Sequence, residues 1–135
     1  MAQYSELGDE QLYAQITGCQ RMLADADDQR RAHRIGWFRH RWLRSYWRTQ
    51  LIPLLEERLR RSPRYGLVML VNHRPVASWW HAASEAKDAA QTLLDNGAGY
   101  PDRVIYPNGH ELRFDLGDAS NSWEDRWTEV ATEVN

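Results

Sequence analysis

The chain has one cysteine, Cys19, one lysine, Lys87, and no window approaching eighteen consecutive apolar residues. A lone cysteine excludes an intrachain disulfide framework and any zinc site built from several thiolates, and it suits a reducing compartment. With no long apolar run and no basic start, neither a membrane-spanning helix nor a secretory leader is expected, so cytoplasmic residence follows as the default. The shortage of lysine leaves sixteen arginines to carry nearly all the positive charge, a bias that a GC-rich genome explains as readily as selection for guanidinium chemistry. Internal repeats and low-complexity segments are also missing. The length of 135 residues fits a single domain, 1–135, able to bury a core without covalent staples.

What is present is an uneven distribution of charge. Residues 30–64 hold eleven arginines and only two acids, Glu56 and Glu57, a net +9, whereas residues 1–29 sum to −5 and residues 85–135 to −7. Trp37, Phe38, Trp42, Tyr46 and Trp47 are threaded between the basic positions. Guanidinium groups bind phosphates, carboxylates and aromatic faces, so this segment reads as a recognition surface or as an internal clamp closed by the acidic flanks. The whole chain carries −2, so any contact with nucleic acid has to come from this one patch.

The hydrophobic periods predict the elements. Leu12, Ile16, Cys19, Leu23 and Ala26 step by four and three, which lines one face of a helix from about Asp9 to Ala32. Gly36 marks a turn before a second helix, Trp37 to Arg61, with a kink or break near residues 50–52 ahead of Pro53. Tyr65 to Val71 reads as a central strand and Val76 to Trp80 as its hairpin partner. Ser84 is placed as the N-cap of a helix carrying Ala86, Ala89, Ala90, Leu93 and Leu94, with Gly97 closing it. Val104–Tyr106 and Leu112–Leu116 flank Asn108–Gly109, a tight-turn dipeptide. Ser122 and Asp125 form a capping box before Trp123, Trp127, Val130 and Val134 at helical spacing. The expected fold is therefore α+β: an N-terminal antiparallel helical hairpin over 1–62, a ββαββ four-stranded, mainly antiparallel sheet over 65–117, and a short C-terminal helix over 120–134.

At 100° per residue, Trp37, Arg41, Arg44 and Arg48 fall within about 60° on the second helix and make one cationic stripe. Phe38, Trp42 and Tyr46 share a second sector, and Leu43, Trp47 and Leu51 a third. A surface helix usually buries one apolar arc, so either the helix is sandwiched or one arc faces a partner. With Arg34 and Arg39 added, these six residues are the candidate partner-binding set. Because Trp and Arg dominate interface hot spots, an acidic protein surface is the first expected partner, making the chain a small non-catalytic binding or regulatory module. The alternative is single-stranded DNA or RNA, with Arg on phosphates and exposed rings stacked on bases. A lipid surface is the poorest match, since the stripe lies between two apolar sectors. Of the seven tryptophans only Trp37 is expected to be exposed, the others filling the core. The acidic terminal helix is the natural internal cover for the stripe. No feature of the sequence sets an oligomeric state.

Nothing in the chain has a catalytic or cofactor-binding pattern. His33 and His40 lack an acid at ligand spacing; His110 beside Glu111 is too common a pair to imply acid–base work, and His73 and His81 fall near strand ends. Gly97-Ala98-Gly99 follows a helix instead of joining a strand to one, so it is not a phosphate loop. Cys19 lies on an apolar helix face, where a thiol is an inert core group. No metal or cofactor is expected.

Overall fold

The computed structural model describes residues 4–115 and 122–129. These form an α+β structure of three α-helices, one 3-10 turn and a five-stranded antiparallel sheet. The chain divides into two compact units, Met1–Ser62 and Pro63–Asn135, and each has its own hydrophobic cluster.

The first unit is a pair of helices, α1 (Asp9–Arg31) and α2 (Trp37–Arg60). They run antiparallel, because Asp27 near the end of α1 meets His40 and Arg44 near the start of α2, and Asp9 at the start of α1 meets Arg61 at the end of α2. Leu12, Ile16 and Cys19 of α1 pack with Leu51 and Leu54 of α2, and Trp47, Leu23 and Leu55 close around them. The turn between the helices is made at His33, not at Gly36. His33 adopts φ 57° and its N–H donates to the Arg30 carbonyl, while the Arg34 N–H donates to that of Gln29. That pair of bonds is the Schellman closure, with histidine at the position glycine usually takes. Gly36 has an ordinary extended φ of −76° and instead opens α2.

The expected break before Pro53 does not occur, and α2 runs through it. Proline removes one backbone donor, which would have served the Thr49 carbonyl. Buried Leu51 and Leu54, one on either side of Pro53, hold both halves of the helix against α1.

The second unit is a sheet with one α-helix packed on it. Strands β1 (Tyr65–Val71), β2 (Arg74–Trp80), β3 (Tyr100–Ile105), β4 (Glu111–Phe114) and β5 (Trp127–Glu129) lie in the order β2-β1-β3-β4-β5. Helix α3 (Ala83–Asp95) connects β2 to β3 and packs on β1 and β3. Its small face, Ala83, Ala86 and Ala90, meets Leu67, Met69 and Val104, and Phe114 and Trp127 extend the same cluster. Ser84 does not cap α3. Ala82 is the N-cap and is fully buried, its carbonyl accepting from the Ala86 N–H. At the other end Gly97, with φ 70°, and Ala98 donate to Leu94 and Leu93 in a second Schellman closure.

The hairpin turns differ from the dipeptide reading. Positive φ at two successive residues occurs in the first hairpin, at Asn72 (52°) and His73 (66°), as a two-residue type I′ turn requires. In the second, Pro107 holds its own φ negative and only Gly109 is left-handed, at 91°. The Gly109 N–H donates to the Tyr106 carbonyl, so this is a type I turn followed by a glycine bulge. On β2, Trp79 lies opposite Gly66 of β1, and a Cβ built on Gly66 would come within 3.2 Å of the indole ring. The ring covers the bare glycine backbone, as aromatics do on sheet glycines.

The C-terminal helix and the four-stranded sheet are both corrected. Residues Glu124–Arg126 make a single 3-10 turn, and Trp127–Glu129 form a fifth strand. The Ser122 hydroxyl does donate to the Asp125 carboxylate, at 2.9 Å, yet only that turn follows it. Trp127 pairs with Phe114 in the sheet, and Trp123 packs on both rings, so burial of two indoles against Phe114 overrides the helical spacing. Leu116, Val130 and Val134, assigned to the last strand and helix from sequence, lie outside the described residues. Among the described residues no helix is long and apolar enough to cross a membrane.

Candidate partner-binding face of α2

The side of α2 that packs against α1 is the Trp47, Leu51 and Leu54 sector, with Leu43 half-buried on the same arc, so only one of the two apolar arcs meets α1. The other stays in solvent. Phe38 is 82% exposed, Trp42 61% and Tyr46 45%, and they follow one another every four residues along the helix. The Trp42 and Tyr46 rings stack at 5.5 Å, nearly parallel at 11°. The expectation that Trp37 alone would be exposed is wrong: Trp37 is 52% exposed, and Trp42 and Trp79 are more so. Each has a local reason, the ridge of α2 for Trp42 and the cover over Gly66 for Trp79.

The cationic stripe assembles as a surface groove of about 520 Å³ lined by Trp37, Arg41, Arg44 and Arg48, with His40, Ser45 and Thr49 between them. Its arginines are not equivalent. Arg44 donates through Nη1 to both oxygens of Asp27 at 2.7 Å, and His40 Nε2 lies 2.8 Å from the same carboxylate. The bonds from Arg44, and then from His40, hold the Asp27 carboxyl below the usual carboxylate range. Arg41 instead lies over the Trp37 ring, 5.3 Å from its centroid, and Arg48 is exposed. Among the described residues neither Arg41 nor Arg48 has a carboxylate within ion-pair distance.

Arg39 lies on the far side of the aromatic ridge, roughly 160° from Arg41 around the helix. There it lines a second groove with Phe38, Arg41, Trp42 and Ser45. Arg34 is exposed in the turn between the helices and lines neither groove. The ridge is thus flanked by guanidinium groups on both sides.

Further along, the basic segment is a clamp. Arg61 donates from Nε to Glu57 at 3.1 Å, from Nη1 to Asp9 at 2.9 Å, and from Nη2 to the carbonyls of Tyr4 and Leu7. Arg60 adds a second bond to Glu57 at 2.9 Å. Arg61, and secondarily Arg60, hold the buried Glu57 carboxyl below its ordinary range. One basic segment therefore supplies both a recognition surface and a clamp, on different residues.

Sequence reasoning missed Asp27, His40 and the two hydroxyl residues Ser45 and Thr49. Asp27 belongs to the acidic end of α1, and folding the helices back on one another would have placed it against the start of α2. The remaining reactive groups are dispersed. Burial pushes the Cys19 thiol up, His110 approaches Glu129 at 3.3 Å instead of its neighbour Glu111, and His81 lies 4.0 Å from Glu85. Among the described residues no three His, Cys, Asp or Glu side chains are placed to hold a metal. No protein-family model, curated protein or solved structure matches this chain.

Proposed function

We propose that this chain is a small non-catalytic binding module that docks the outward face of α2 onto an acidic protein surface. The observation that carries the reading is the Phe38–Trp42–Tyr46 ridge, unburied by its own unit and flanked by Arg39 on one side and Arg41 and Arg48 on the other. Apolar aromatic surface gives such an interface its affinity, and the flanking guanidinium groups select an acidic rim and speed encounter. An amphipathic helix with acidic residues beside its apolar stripe is the complementary shape. The stacked Trp42–Tyr46 pair also suits an unpaired base, so single-stranded nucleic acid is the second reading.

Fluorescence anisotropy separates the two. A labelled acidic amphipathic peptide is expected to bind the full chain and to lose that binding in the Arg41→Glu/Arg48→Glu and Trp42→Ala variants, with helical circular dichroism unchanged. Labelled single-stranded RNA that binds more tightly than the peptide, with affinity falling steeply between about 50 and 200 mM salt, transfers the surface to nucleic acid.

A further inference from the structure

We infer that the groove beside Trp37 is a subsite for a dianionic phosphoryl group carried by a side chain of the acidic protein partner, gripped by Arg41 and Arg48; this rests on the binding-module reading above. Charge is unevenly compensated within the groove. Three guanidinium groups line the groove, but Arg44 is neutralised by both oxygens of Asp27 at 2.7 Å. Among the described residues Arg41 and Arg48 have no carboxylate partner, so the groove presents two uncompensated positive charges.

Those two residues are seven apart on one face of α2, about 10.5 Å along the axis, and both line the groove. Ser45 lies between them and, among the described residues, its hydroxyl makes no hydrogen bond, whereas that of Thr49 is committed to the Ser45 carbonyl at 2.8 Å. A carboxylate brings one negative charge and two oxygens, which leaves one arginine uncompensated. A phosphoryl monoester brings a charge near −2 and three strong acceptor oxygens, matching two guanidinium forks and a hydroxyl. Arg41 is already positioned, since its guanidinium rests on the Trp37 ring at 5.3 Å and, among the described residues, its N–H groups make no hydrogen bond. A nucleic-acid backbone fits less well. It needs a run of free cations, and the middle of this row is the neutral Arg44–Asp27 pair.

Trp37 supplies the readout. In a ¹⁵N–¹H spectrum of the full chain its indole signal is identified by its loss in Trp37→Phe, and inorganic phosphate and acetate are titrated at constant ionic strength. Phosphate is expected to shift the Trp37 indole signal and acetate is not; a signal unmoved by phosphate overturns the subsite. Two versions of the acidic amphipathic peptide, differing only by glutamate or phosphoserine at one central position, then test the partner. The phosphoserine peptide is expected to bind about tenfold more tightly, and Arg48→Ala to abolish that preference, so that the variant binds the two peptides equally. Equal affinities overturn the phosphoryl inference and leave the acidic-partner reading standing. Failure of both peptides while phosphate still shifts Trp37 instead sinks that reading and detaches the anion site from it. Stronger binding to single-stranded RNA, or to anionic vesicles, than to either peptide overturns the assignment to a phosphorylated protein.

Discussion

Arg44 and Arg48 are one helical turn apart and look alike in the sequence, yet they do different work. Arg44 closes the hairpin through Asp27, and Arg48 faces solvent. Arg44→Ala is expected to lower stability by about 1 kcal/mol, the upper end for a partly exposed pair, and Arg44→Glu by more, because a carboxylate would then face Asp27. Arg48→Ala should stay within about 0.5 kcal/mol of wild type, as exposed substitutions do. Urea denaturation followed by helical circular dichroism gives both numbers. The same contacts set a pH dependence. Asp27 and Glu57 are held below their ordinary carboxyl values in the folded chain, so the unfolded chain protonates first on acidification. Their contribution is complete above the usual carboxylate range and is lost as pH falls through the depressed native values. Thermal melts from pH 7 to pH 3 should show the loss, and Asp27→Asn with Glu57→Gln should flatten that limb of the curve.

Among the elements, two histidines occupy left-handed backbone. His33 closes α1 and His73 sits in the first hairpin turn, at φ 57° and 66°. Glycine takes this conformation without the Cβ penalty, so His33→Gly and His73→Gly are each expected to raise stability, by between about 0.5 and 1 kcal/mol net of the extra entropy of the unfolded chain. Calorimetry of the two single variants checks this. These positions also mark where the sequence was legible. The period of Leu12, Ile16 and Cys19 determines α1 because burial against one neighbour demands a single face, and Gly97 announces its own left-handed turn. His33 and His73 give no such signal, since their conformation is set by the bonds that close around them. The same limit hid the exposure of Trp42, because a ring on the outer arc of a helix carries the same letter as one in the core. Ser122, Trp123 and Trp127 satisfied a helical pattern that only the sheet partner Phe114 could override, and Asp27 became part of the site only once two helices were folded back on each other.

For the molecule as a whole, the small net charge conceals a strong separation. A chain carrying −2 overall concentrates +9 between residues 30 and 64. It is therefore expected to bind a heparin column at neutral pH although its net charge is negative, since short-range contacts follow the local field and not the total. The Arg41→Glu/Arg48→Glu variant should elute earlier, with the slope of log affinity against log salt reduced by about 2. Each unit also keeps its own apolar cluster, Ile16 being enclosed in one and Val104 in the other. Within the second of these, the indole of Trp79 lying on Gly66 has a magnetic consequence. The glycine proton in the direction a Cβ would take sits over an aromatic ring current, so one Gly66 Hα resonance is displaced upfield, and that single peak reports whether β1 and β2 are in register.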